Sequence, residues 1–107
     1  MNPGEDEESA IDAIFETLSH EHRRIILEFL SKQPETDVDC EDVVQYLSHH
    51  DTSGTDFETL DIQCHHSHFP KLEETGLISH DVQRRTIHLE RSGTIEDLVE
   101  LVEKLEE

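Results

Sequence analysis

The stretch from His65 to Glu90 constrains the fold more than any other part of the chain. It begins as the end of a helix, and Gly76 follows, as expected where a chain leaves a helix through a left-handed residue. Two short segments rich in β-branched residues come next, over 77–82 and 85–90, with Gln83-Arg84 between them. Such runs are typical of paired strands, so the stretch predicts a helix followed by a two-stranded hairpin. The bend lacks the Asn-Gly or Asp-Gly of a tight turn, so the turn type stays open.

Four helices are predicted before the hairpin, because apolar residues recur at helical spacing in four segments separated by polar runs. Phe15 and Phe57 are expected on the buried faces of the first and fourth helices, and Leu27 at the margin of the second. Val38 and Val43 stand at hydrophobic-staple positions around the third N-cap. The expected N-cap residues are Ser9, Ser19, Asp39 and Asp56.

Pro70 lies inside the fourth helix, which the pattern extends from Phe57 to Thr75. Proline lacks the N–H that would bond to His66, and its ring clashes with the carbonyl of that residue. We therefore expect either a kink between His66 and Pro70 or a new short helix that begins at Phe69-Pro70.

A last helix is predicted after Ser92-Gly93, with Thr94 as its N-cap. Its apolar stripe suits packing on its own domain or against a second chain, and we favour a homodimer because little core is left to cover after the hairpin. The expected dimerisation residues are Ile95, Leu98, Val102 and Leu105. The chain then divides into a flexible acidic N-terminus over 1–8, a folded domain over 9–91 and a C-terminal helix over 92–107.

The net charge of −19 comes from 27 Asp and Glu residues against 8 Lys and Arg residues. One interpretation is adaptation to concentrated salt, where charges are screened over about 3 Å at 1 M; the other is an acidic partner for a basic surface. We favour the first, because the acidic residues are scattered along the whole chain. No apolar run approaches the roughly 20 residues of a membrane span, and the N-terminus lacks a signal-peptide pattern. We expect a cytoplasmic protein that does not enter a membrane.

The predicted order of helices, hairpin and last helix is that of an α+β winged helix-turn-helix domain, and two motifs resemble one regulator family. Residues 18–27, LSHEHRRIIL, resemble the LSHPxRRxIL opening of arsenic-repressor-like (ArsR-type) winged-helix regulators. Residues 68–78, HFPKLEETGLI, resemble the HLxxLxxxGLV end of their recognition helix. With residues 65–72 included, the chain is similar to short winged-helix domains of unknown function common in haloarchaea. The resemblance covers residues 11–90.

This resemblance implies a regulator that binds double-stranded DNA, with a recognition helix that reads base edges and a wing that contacts phosphates or the minor groove. The implied DNA-binding residues are Gln63, His65, His66, Ser67, Lys71, Arg84 and Arg85. The segment between the third and fourth helices exceeds the three or four residues of a tight helix-turn-helix. That length and the acidic charge favour one alternative, an acidic protein-interaction module that keeps the fold and no longer binds DNA.

Cys64 and His68 suggest a second alternative, because residues four apart on a helix can present two metal ligands on one face. With His49 and His50 approaching from the preceding helix, this cluster would make a metal-responsive switch that binds zinc. The main prediction has no cofactor. The chain has no glycine-rich phosphate loop, G-x-S-x-G or H-E-x-x-H, so we predict no enzyme activity. The preferred interpretation is a dimeric, winged-helix, DNA-binding transcription regulator that works in a salt-rich cytoplasm.

Overall fold

The computed structural model describes residues 12–34 and 37–90, which form an α+β arrangement of four helices and a small antiparallel sheet. The first three helices are α1 (12–18), α2 (Glu21–Ser31) and α3 (Cys40–His50). The fourth is continuous and consists of α4 (Phe57–Gln63), a π-helical turn (Cys64–His68) and α5 (Phe69–Glu74). The strands are β1 (Asp37–Asp39), β2 (Ile78–Asp81) and β3 (Thr86–Leu89). Among the described residues, no helix combines the length and the hydropathy of a transmembrane segment.

The predicted hairpin is present as β2 and β3, but the sheet has three strands instead of two. Strand β3 lies in the centre, and Ile87 pairs with Val38 of β1 on one side and with His80 of β2 on the other. In β1 only Val38 is buried, while its two neighbours are exposed, as expected for a strand with one face on the core. Three residues are too few to display a strand pattern, so the sequence predicted a loop and a helix cap here instead of a strand.

The core lies between α2, α3, the fourth helix and one face of the sheet. Leu27 is 1% exposed and belongs to the core, so its expected place at the margin of α2 was wrong. Phe15 and Phe57 are 52% and 40% exposed, so their expected burial was also wrong. The largest fully buried side chains are Phe69, Ile26, Leu27, Leu30, Leu47, Leu60, Leu72, Leu77, Ile78 and Ile87.

The π-helical turn explains how the fourth helix continues across Pro70. The N–H of Phe69 donates to the carbonyl of Cys64, five residues back, and α5 begins at Phe69 with the proline in its first turn. Proline is tolerated there because the first N–H groups of a helix have no partner within it. The expected helical segment beginning at Phe69-Pro70 is thus confirmed, and it continues directly from the π turn.

Gly76 ends the fourth helix as predicted, with a φ of 80°. The N–H of Gly76 donates to the Glu73 carbonyl, and the N–H of Leu77 donates to the Leu72 carbonyl at 3.1 Å. These two bonds form a Schellman motif, in which a glycine in the left-handed conformation turns the chain away from the helix. Leu77 is buried, so the turn delivers the chain directly into the core and then into β2.

Two of the predicted N-caps within the described residues behave differently from expectation. Asp56 accepts a hydrogen bond from the Thr59 N–H at 2.7 Å, as predicted. Asp39 occupies the N-cap position of α3 without a side-chain bond. The N-cap of α2 is His20 and not Ser19, because His20 Nδ1 accepts from the His22 N–H. Predictions that lie outside the described residues concern the Ser9 cap, both chain ends and the dimerisation residues Ile95, Leu98, Val102 and Leu105.

Candidate nucleic-acid interface

The tip of the β2–β3 hairpin presents two adjacent arginines to solvent. Residues 82–85 form the turn, and both Arg84 and Arg85 are exposed. The Asp81 carboxylate accepts a hydrogen bond from the Arg84 backbone N–H at 3.0 Å, which stabilises the turn. The sequence left open what stabilises the bend, and this hydrogen bond is one answer.

Arg85 adopts a left-handed backbone conformation with a φ of 57°, and it is the single non-glycine residue with positive φ in the described part of the chain. For a residue with a Cβ this conformation costs roughly 1–2 kcal/mol. Its carbonyl accepts a hydrogen bond from the Cys40 N–H at 2.9 Å, which ties the hairpin turn to the first residue of α3. Glycine would suit this position better, so the arginine occupies it against its backbone preference.

The charges around Arg85 are mixed. Asp39 and Glu41 line a shallow surface recess of about 190 Å³ together with Arg85. Even so, across 12–34 and 37–90 no carboxylate forms an ion pair within 4.0 Å of the guanidinium of Arg84 or Arg85. Within that part of the chain, neither guanidinium group has a carboxylate partner.

The residues predicted on the fourth helix differ in how accessible they are. Gln63, His66 and Lys71 are exposed and Ser67 is partly exposed. His65 is partly buried, and its ring lies edge-on to Phe69 with a centroid separation of 5.2 Å. The predicted helix residues thus divide into an exposed group and one histidine that packs on the domain itself.

The helix and the hairpin are joined near these residues. The ring of His80 on β2 lies 5.6 Å from the ring of His65 and 5.2 Å from that of Phe69. The backbone N–H of His80 also donates a hydrogen bond to the Glu73 carboxylate at 2.9 Å. These contacts fix the orientation of the hairpin relative to α5, and so relate the exposed helix residues to the two arginines.

The structure differs from the predicted metal-ligand cluster around Cys64. Cys64 is fully buried within the apolar core, whereas the ring of His68 packs against the rings of His20 and His22 on α2. His49 and His50 are exposed at the end of α3, and the His50 ring stacks on Tyr46. The i, i+4 spacing predicted a shared ligand face, but core packing assigns Cys64 and His68 to different surroundings.

Both thiols are buried, and burial raises the pKa of Cys40 to about 11 and that of Cys64 to about 12. Since the thiolate is the reactive form, we expect negligible alkylation by iodoacetamide at pH 8 in the folded protein. In denaturant both cysteines should react completely within the same time, as judged by mass spectrometry. Rapid labelling of Cys64 in native buffer would contradict its placement in the core.

Three histidines form a cluster that the sequence analysis missed. Potential ligand atoms of His20, His22 and His68 all lie within 4.8 Å of one another. Burial, followed by the charges of His20, Arg23 and His22, lowers the pKa of His68 to about 4. His22 Nε2 donates a hydrogen bond to the Asp51 carboxylate at 2.9 Å. The sequence does show His20 and His22 two residues apart at the start of a helix, which is a possible metal-ligand pattern. Their partner His68 lies far along the chain, so the sequence alone does not connect it to them.

Asp51 anchors this cluster from the loop after α3. Its side chain is 2% exposed and faces His22. It also accepts hydrogen bonds from the Ser53 N–H and hydroxyl. The hydrogen bonds from Ser53 and then from His22 hold the pKa of Asp51 well below its ordinary range. A carboxylate that stays charged favours a His22 tautomer with its proton on Nε2.

Residues 15–88 match the model of a family described as a domain of unknown function, DUF7344. No curated protein and no solved structure matches the chain. The matched region begins in α1 and ends in β3, so it includes both the hairpin arginines and the three histidines. The chain therefore belongs to the DUF7344 family.

Proposed function

We propose that this domain is a winged-helix regulator that binds double-stranded DNA, with the β2–β3 hairpin as its wing and the helix from Phe57 to Glu74 as its recognition helix. The observation that carries the proposal is the pair of exposed arginines at the hairpin tip. Arg85 has a left-handed backbone conformation, which is unfavourable for a residue with a side chain. Strained residues cluster at functional sites, which supports a role for this side chain in binding.

Arginine suits this role because its guanidinium donates in a planar fork to phosphate oxygens and enters narrow minor grooves. Neither hairpin guanidinium is paired with a carboxylate among the described residues. On the recognition helix, Gln63 and Lys71 are exposed and carry groups that bind base edges and phosphates. His65, which packs on Phe69, contributes to helix position more than to DNA contact.

The acidic body opposes DNA binding at low salt, since the chain carries a net charge of −19. In molar salt this repulsion is screened within about 3 Å. The counterion-release contribution to affinity also fades there, so binding rests on direct contacts and shape. The proposal therefore places the regulator in a salt-rich cytoplasm. It also includes the homodimer that the sequence predicts.

The arginines are tested by fluorescence anisotropy with labelled genomic DNA fragments in high potassium chloride. The double variant Arg84→Ala/Arg85→Gly removes both guanidiniums, and its glycine suits the left-handed backbone, so we expect it to fold at least as stably as the wild type. With roughly 1–3 kcal/mol for each arginine contact, its affinity should fall by about 30-fold or more.

The matched control is Lys32→Ala, which removes a cation that pairs with Glu28 on α2 at 2.8 Å. We expect its affinity to equal that of the wild type. If the wild type and the double variant bind equally weakly, the regulator proposal is wrong.

Such a result would favour the alternative of an acidic protein-interaction module with the same fold. The carboxylates of Asp39 and Glu41 beside Arg85 are the specific observation that supports this alternative, because they oppose a DNA phosphate. A basic partner would instead be attracted to them.

A further inference from the structure

We propose that His20, His22 and His68 form a binding site for a divalent transition-metal cation, for which Zn²⁺ is the best fit. The site joins the start of α2 to the π-helical turn of the fourth helix. Its three rings are in mutual contact, with centroid separations of 4.6, 5.0 and 5.4 Å. The proposal does not depend on DNA binding, because none of its contacts involves the hairpin.

The spacing of the ligand atoms is close to what zinc requires. Tetrahedral zinc with Zn–N distances of 2.0–2.1 Å places its nitrogen ligands roughly 3.3 Å apart. The potential ligand atoms here already lie within 4.8 Å of one another. Small side-chain rotations close the remaining gap, and exposed His20 has the freedom to make the largest of them.

His22 is prepared for metal binding on both of its nitrogens. Its Nδ1 atom is buried and has no hydrogen-bond partner among the described residues, although a buried polar atom ordinarily has one. Its Nε2 atom lies 2.9 Å from the Asp51 carboxylate, which holds the proton there and leaves the Nδ1 lone pair free. A carboxylate behind a histidine ligand is the usual second partner in zinc sites, where it fixes the ring and raises its basicity.

The other two rings accept hydrogen bonds within the protein at Nδ1, so Nε2 is the nitrogen that would bind a metal. His20 Nδ1 accepts from the His22 N–H at 3.2 Å, and His68 Nδ1 accepts from Arg23 Nε at 3.2 Å. A neutral ring that accepts at Nδ1 carries its proton on Nε2. To ligate through Nε2, each ring has to transfer that proton to Nδ1, so that His20 gives up the bond from the His22 N–H and His68 gives up the bond from Arg23. Arg23 therefore weakens metal binding and sets the concentration at which the site fills.

His20 borders a cleft from which solvent would supply the fourth ligand. His20 and Arg23 line a cleft of about 490 Å³ between α1, the start of α2 and the end of α5. Three protein ligands with an open fourth position leave room for water or another small ligand on the metal. Three imidazoles without a thiolate suit Zn²⁺, Cu²⁺ and Ni²⁺ and disfavour Mg²⁺ and Ca²⁺, which prefer oxygen ligands.

The test is calorimetric titration of untagged, chelator-treated protein with zinc chloride, in the absence of DNA. We expect one equivalent to bind and the melting temperature to rise, and we expect magnesium chloride to give neither effect. Cobalt(II) should bind competitively with zinc and give the visible absorption of a tetrahedral site.

Four variants distinguish this site from scattered surface binding. His20→Ala removes an exposed ligand, and with it the side-chain N-cap of α2, and should weaken zinc binding by at least about tenfold. Asp51→Asn should weaken it by roughly 10- to 100-fold. Arg23→Gln offers His68 Nδ1 an acceptor in place of a donor and should strengthen binding. His49→Ala, which removes an exposed histidine outside the cluster, should leave the affinity unchanged.

Two results would overturn the proposal. One is the absence of stoichiometric binding by both the wild type and Arg23→Gln, which would make the cluster a packed histidine stack. The other is an equal loss for His20→Ala and His49→Ala, which would assign the binding to surface histidines in general. Melting curves of the metal-free variants verify that each protein is folded.

Discussion

Replacing Phe69 with alanine is expected to lower the free energy of unfolding by about 3–5 kcal/mol. Phe69 is fully buried and is the first residue of α5, directly after the π-helical turn. Its ring contacts His65 on the same helix and His80 on β2. The cavity left by its removal would loosen the fourth helix from the sheet, which is the junction that orients the hairpin.

The effect is measured by equilibrium denaturation in urea, with Ile62→Ala as the matched control. Ile62 lies on the same helix but is 56% exposed, so its truncation should change the free energy of unfolding by no more than about 0.5 kcal/mol. Comparable small effects of both substitutions would mean that Phe69 is not packed between helix and sheet.

Replacing Asp51 with alanine is expected to lower the free energy of unfolding by about 1–3 kcal/mol, because it leaves the partly buried Nε2 donor of His22 without its acceptor. The carboxylate bonds to the Ser53 N–H and hydroxyl and lies 2.9 Å from His22 Nε2. His22 itself is 9% exposed, so water cannot readily replace the lost partner. The loop between α3 and the fourth helix would lose its main anchor.

Asp51→Asn is the informative comparison, because an amide oxygen still accepts from His22 and Ser53 while the negative charge is removed. We expect its loss of stability to be smaller than that of Asp51→Ala, measured by thermal unfolding of metal-free protein. If the alanine variant is as stable as the wild type, Asp51 does not hold the loop against α2.

The sequence predicted those features that short local patterns encode. Gly76 marked the end of the fourth helix because a left-handed residue was needed there, and the β-branched runs on either side of Gln83-Arg84 indicated the hairpin. Pro70 marked the start of α5, since its missing N–H restricts where a helical segment can begin. Each of these rests on one or two residues whose backbone preference is strong.

Other features depend on contacts between distant residues, and sequence patterns did not reveal them. Strand β1 is defined by pairing with β3, about 50 residues away, and its three residues show no pattern of their own. The histidine cluster depends on how α2 packs against the π-helical turn, so local spacing pointed to Cys64 instead of His20 and His22. The positive φ of Arg85 follows from the turn geometry and its bond to Cys40, neither of which is visible in the sequence.

The central proposal is that the hairpin tip and the exposed face of the fourth helix contact DNA together. The most direct measurement is the change in backbone amide NMR shifts when isotopically labelled full-length protein is titrated with a genomic duplex that it binds, in high potassium chloride. We expect the shifts of residues 63–71 and 82–85 to change together, and those around Lys32 to stay constant. A bound duplex that leaves the amides of Arg84 and Arg85 unchanged would contradict the proposal.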